Sequence, residues 1–84
     1  MQKYAITMSL AEHVKKFVNV VNHYDFDMDL RCGRHVVDAK SILGIFSLDL
    51  SKQITLEVND NGDADAAKLA QLEEEIRPFL AEQE

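Results

Sequence analysis

The residue types best suited to chemistry sit near the middle of the chain, in Ala39-Lys40-Ser41-Ile42-Leu43-Gly44-Ile45-Phe46-Ser47-Leu48. A serine placed just before a run of closely spaced apolar residues can accept a hydrogen bond from the unpaired amides of a first helical turn. Those amides and the helix dipole would also favour a phosphate on the same hydroxyl. Ser41 therefore reads either as the cap of a core helix or as a phosphorylation switch beside an apolar docking surface. A second group is His13 with Lys15 and Lys16 close by, an imidazole nucleophile with positive charge at hand, although about a turn inside a helix where the amides are already committed. His23 and His35 lack the paired spacing and the cysteine neighbours of a zinc site, so no metal and no cofactor is expected. Asp38 and Asp49 flank the central stretch without a catalytic partner and read as solvated. Cys32 is the single cysteine, an ordinary thiol in a turn that cannot form an internal disulfide, which agrees with a reducing compartment.

The elements that must position these residues follow from periodicity. Lys3 to Met8 alternates, with Tyr4, Ile6 and Met8 on one side, as in a half-buried strand. Ser9-Leu10-Ala11-Glu12 has the form of a capping box. Leu10, Val14, Phe17 and Val21 then recur on one helical face, with Glu12, Lys15, Lys16 and Asn19 outside, and the helix should end near Asn22. Asp25 to Arg31 alternates again: Phe26, Met28 and Leu30 point to a core and the intervening Asp27 and Asp29 to water, a sheet covered on one side only. Cys32-Gly33-Arg34 supplies a turn into a neighbouring strand from His35 to Ala39. A short helix spans about Ser41 to Ser47, weakened at Gly44 by about 1 kcal/mol relative to alanine. In it Ile45 and Leu48 should be internal, and Leu43 and Phe46 more exposed.

Gln53 to Val58 reads as a fourth strand, with Ile54, Leu56 and Val58 inward and Gln53, Thr55 and Glu57 outward. After the turn signal Asn59-Asp60-Asn61-Gly62, Asp63 or Asp65 can cap a last helix carrying Ala66, Leu69, Leu72 and Ile76 at core spacing. Glu73-Glu74-Glu75 is its solvated face. Pro78 should kink or end it near Arg77, with Phe79 and Leu80 still docked. The order strand, helix, strand, strand, helix, strand, helix, with one polar sheet face, gives an α+β open-faced β-sandwich: a four-stranded sheet with three helices on one side.

Composition sets the outer limits. The 84 residues are 46% hydrophobic and 29% charged, which suits one small globular domain over residues 1–84. The net charge of −6 argues against a nucleic-acid partner, because phosphate backbones call for clustered Lys and Arg. Residues 1–42 hold six Lys or Arg against five acids, and residues 43–84 three against ten, so partners should meet the first half. No apolar run reaches membrane-spanning length, and the start lacks a signal peptide's apolar region, which leads us to expect a cytoplasmic protein with no membrane partner.

Lys40-Ser41-Ile42-Leu43-Gly44-Ile45-Phe46-Ser47-Leu48 resembles the segment around the regulatory serine of the HPr family, the small phosphocarriers of the bacterial sugar phosphotransferase system. The likeness extends over nearly the whole chain, and it implies that the sheet is antiparallel. In that family a histidine in a glycine-leucine-histidine-x-arginine-proline stretch accepts a phosphoryl group from enzyme I. Aligning on Phe17-Val18 places Leu10 at that histidine and Glu12 at that arginine. Leucine has no nucleophile, and a glutamate repels a phosphate by about 1 kcal/mol or more at close range. The spacing from Cys32 to Ser41 also holds one residue more than is typical.

What the resemblance implies is a regulatory, non-enzymatic HPr-like protein, most similar to the catabolite-repression homologues that also lack the carrier histidine. Ser41 would be the phosphorylation site, and Lys40, Ile42, Leu43 and Phe46 would face a protein partner. Candidate partners are HPr kinase, a transcriptional regulator or other phosphotransferase components. One alternative is an atypical phosphocarrier using His13; another is a vestigial relative whose Ser41 is never modified.

Overall fold

The computed structural model describes residues 2–59 and 66–80. The strands are β1 (Gln2–Ile6), β2 (Asp27–Cys32), β3 (His35–Asp38) and β4 (Ile54–Asn59); the helices are α1 (Ala11–Val21), α2 (Ile42–Phe46) and α3 (Ala66–Ile76), followed by a 3₁₀ turn at Arg77–Phe79. All strand pairs are antiparallel, in the order β1-β4-β2-β3. The expected element order and open face are both present.

Alternation decides which face is covered. Ile6 from β1, Met28 and Leu30 from β2, and Ile54, Leu56 and Val58 from β4 are buried together with Val14, Phe17 and Val21 of α1, Ile45 of α2, and Leu72 and Ile76 of α3. The opposite face carries a polar row formed by the register Lys3, Glu57, Asp29 and Asp38 across all four strands. Its centre is not solvated as alternation suggested: Glu57 is only 8% exposed. Arg31 Nε donates to Glu57 Oε2 at 2.9 Å and Lys3 Nζ approaches to 4.0 Å, so long side chains from both neighbouring strands close over the carboxylate. The Arg31 guanidinium holds that carboxyl below its ordinary range.

The start of α1 corrects the expected capping box. The N-cap is Leu10, extended at φ −123° and ψ 150°, with no side-chain cap. Ser9 is therefore one residue too early, and the third helical position falls on His13 instead of Glu12. The Leu10 carbonyl accepts from the His13 and Val14 amides at 3.0 and 3.3 Å. As a consequence Leu10 leaves the apolar face on which periodicity put it and is 52% exposed. Similarly, β1 stops at Ile6 because the next partner is the C-terminal turn: Thr7 donates to the Phe79 carbonyl at 2.8 Å, and Met8 is buried without belonging to a strand.

The end of the chain is anchored by side chains. Phe79 meets Phe17 edge-on with ring centroids 5.5 Å apart. Two of the glutamates expected to form only a solvated face are tethered: Tyr4 donates its hydroxyl to Glu73 at 2.6 Å, and Tyr24 donates to Glu75. Burial first, and then the glutamate, pushes the Tyr24 hydroxyl up to about 12. Ala66, expected at core spacing, is exposed. The expected turn at residues 59–62, beyond Asn59, and the cap at Asp63 or Asp65 lie outside the described residues.

Candidate functional site

Ser41 lies between the end of β3 and the start of α2. It is the α2 N-cap, extended at φ −103° and ψ 108°, and its Oγ accepts from the Gly44 amide at 3.2 Å. The Ile45 amide bonds to the Ser41 carbonyl at 3.0 Å, which closes the first helical turn. The segment leading into the helix is pinned before Ser41 is reached. Asp38 Oδ1 accepts from the Lys40 amide at 2.9 Å, the Asp38 carbonyl accepts from the Ser41 amide at 3.0 Å, and Asn22 Nδ2 donates to the Lys40 carbonyl at 3.4 Å. Asp38, read from sequence as merely solvated, is thus part of the turn that sets the serine in place.

Lys40 has a role that its position beside Ser41 did not suggest. Its Nζ donates to the Tyr24 carbonyl at 2.6 Å, tying the loop before α2 to the exit of α1. The charge adjoining the Ser41 hydroxyl comes first from the helix-start amides.

Around Ser41 the short helix divides its apolar residues. Ile45 is fully buried and Leu48 nearly so, whereas Leu43 is 81% and Phe46 43% exposed. Ile42 is half-buried and packs on the core margin. The close approach that permits this arrangement is at Gly44, where a Cβ would stand 3.3 Å from the Val37 Cβ. The helix ends at Ser47, whose Oγ donates to the Gly44 carbonyl at 2.5 Å. Beyond it Asp49 accepts from both the amide and the hydroxyl of Ser51, which lowers its carboxyl pKa.

The other chemistry-bearing residues do not converge on Ser41. His13 is half-buried on α1, in a cleft that also holds Lys16, while His23 and His35 are exposed. Cys32 is the last residue of β2 and buried, its thiol 3.9 Å from the Asp49 carbonyl; alternation along β2 carried the signal that this thiol faces the core. Among the described residues no group of His, Cys, Asp and Glu is placed to hold a metal ion. No described helix is long and apolar enough to cross a membrane.

A family model described as the PTS HPr component phosphorylation site matches residues 10–77. The chain belongs to the HPr family. Proteins of this family are phosphocarriers rather than catalysts, and they interact with other proteins of the phosphotransferase system. Among solved structures, HPr-C-His of Thermoanaerobacter tengcongensis superposes with a TM-score of 0.72 at 24% identity, covering 100% of both chains. The phosphocarrier protein HPr of Bacillus anthracis gives 0.63 at 24% identity, over 89% of this chain and 93% of that one. Crh of Bacillus subtilis, a catabolite-repression protein seen as a domain-swapped dimer, gives 0.62 at 25% identity, over 92% and 88%. This HPr-family chain thus shares its fold with both HPr and Crh proteins.

Proposed function

We propose that this chain is a regulatory HPr-family protein, without carrier chemistry, that binds a protein partner through the face around Ser41 and is controlled by phosphorylation there. The observation that carries the reading is the combination at α2: an N-cap hydroxyl that is only partly buried, next to Leu43 at 81% exposure and Phe46 at 43%. A kinase would transfer the γ-phosphoryl group of ATP to Ser41 Oγ, with loss of the hydroxyl proton and release of ADP. The phosphate, with a charge of about −1.5 to −2, would meet the free amides at the start of α2. Lys40, committed to Tyr24, shapes the loop in this reading, and Ile42, Leu43 and Phe46 supply the apolar contact.

The absence of carrier chemistry rests on the start of α1. Aligned on Phe17-Val18, the residue at the carrier position is Leu10, which is the N-cap of α1 and offers nothing to phosphorylate. Glu12, in the first turn, replaces the arginine of the family stretch and would oppose an incoming phosphate. The cytoplasm is the compartment in which this single-domain regulator would act.

Incubation with HPr kinase and ATP, and separately with enzyme I and labelled phosphoenolpyruvate, tests the reading. Acid-stable phosphoserine at Ser41 in the first mixture supports it. Acid-labile label on His13 in the second would defeat it in favour of an atypical carrier, and no label in either would favour a vestigial relative. Leu43→Ala should leave the melting temperature unchanged, because its side chain is exposed, while weakening capture of the partner by the phosphorylated form.

A further inference from the structure

A second site lies away from Ser41, where the segment entering α1 meets the C-terminal turn. The cleft there has a volume of about 680 Å³, inside the range of roughly 300–1,000 Å³ usual for small-molecule sites. Its lining includes four polar residues able to donate hydrogen bonds, Thr7, Ser9, His13 and Lys16. Among the described residues none of the four side chains makes a hydrogen bond or ion pair. Lys16 lies one turn after His13, so the two share a helix face. The remaining wall is mostly apolar, with Val20 on α1 and Pro78, Phe79 and Leu80 on the turn.

The wall also contains one acid, Glu75. Its Oε1 accepts from the Tyr24 hydroxyl, a residue that does not line the cleft, so that oxygen is already engaged. The net charge of −6 does not decide the matter. At physiological ionic strength charges beyond about 8 Å are largely screened, and Glu12, the acid next to His13 on α1, does not line the cleft.

We propose that this cleft binds a small organic phosphomonoester, its phosphate held by Lys16, His13 and the two hydroxyls and its apolar body laid on Phe79, Leu80 and Val20. Four donor-bearing residues on one lining suit a dianion with three terminal oxygens better than a carboxylate with two. The apolar floor separates this ligand from inorganic phosphate. The site is independent of Ser41 and of any covalent step.

The test is a backbone-amide NMR titration of the whole chain with phenyl phosphate as the probe, compared with phenol and with inorganic phosphate. Saturable shifts centred on Thr7, His13, Lys16 and Leu80 are expected, with a dissociation constant on the order of 1 mM or tighter. Phenol and inorganic phosphate should each bind about tenfold more weakly, since each lacks one half of the recognition. Lys16→Ala should weaken phenyl phosphate about tenfold, whereas Lys15→Ala, on the same helix but outside the cleft, should leave it unchanged. Both sites are exposed, and the amide spectra report directly that the variants fold. Absence of saturation overturns the proposal. So does phenol or inorganic phosphate binding as tightly as phenyl phosphate, or equal losses from Lys15→Ala and Lys16→Ala, which would reveal nonspecific attraction to α1.

Discussion

Removing the Ser41 hydroxyl measures what the N-cap contributes before any phosphate is added. The Oγ to Gly44 amide distance is 3.2 Å, at the long end of the ordinary range for N–H to O bonds. Ser41 is also only partly buried, so water can replace some of what is lost. Both facts put Ser41→Ala near the middle of the range for lost caps, about 1 kcal/mol. For a domain of this size that corresponds to a fall in melting temperature of about 4–8 °C. Ser41→Asp keeps an acceptor at the same place and adds a negative charge at the helix start, so it should melt within about 2 °C of the parent. Circular-dichroism melts of the three proteins at low and high salt decide the matter, with hydrogen exchange of the Gly44 amide as a local readout. Ser41→Ala should accelerate that exchange, and Ser41→Asp should not. If Ser41→Ala melts with the parent, or Ser41→Asp falls as far as Ser41→Ala, the hydroxyl does not cap α2 and the electrostatic case for a phosphate at that helix start fails with it.

Other perturbations probe the supports of the same region. Ile45→Ala empties a fully buried position and should cost about 2–5 kcal/mol in urea unfolding; a loss well under 1 kcal/mol would mean that α2 is not anchored through Ile45. Gly44→Ala should fail to deliver the gain of about 1 kcal/mol expected from helix propensity, because the new Cβ would stand 3.3 Å from the Val37 Cβ, an atom fixed to the β3 backbone; a full gain in melting temperature would contradict that contact. On the open face, burial and then the charges of Asp38, Glu57 and Asp27 raise the Asp29 carboxyl above its ordinary value. Its folded pKa then exceeds its unfolded one, so ionised Asp29 weakens the fold at neutral pH, and the penalty disappears as pH falls through both values. Asp29→Asn should therefore melt higher than the parent at neutral pH, with the difference shrinking below about pH 4; a difference that does not depend on pH would refute the electrostatic origin.

Much of this architecture was legible because alternation and helical spacing are local records of which face is buried. Met28 and Leu30 in β2, and Ile54, Leu56 and Val58 in β4, identified the core face, and the acids between them identified the open one. The Ser41 cap was also legible, since capping needs only one side chain and the amides of the next turn. The box at Ser9 was not. Its pattern is satisfied in sequence, yet tertiary packing begins α1 at Ala11, and a shift of one residue separates a capping serine from an exposed one.

The order of amino acids by itself determined the element order, the covered sheet face, the apolar split of α2 and the lack of a nucleophile at Leu10, because each depends on neighbours within a few positions. Only the tertiary structure decided that Glu57 is sealed under Arg31 and Lys3, that Lys40 is tied to the Tyr24 carbonyl, that Tyr4 and Tyr24 reach the glutamates of α3, and that Thr7, Ser9, His13 and Lys16 share a wall with Phe79 and Leu80. Each of these brings together residues from separate elements or from the loops between them, and the Lys40 tie reaches back across β2 and β3; the distances between them are set by how the sheet and helices pack, which no local period encodes.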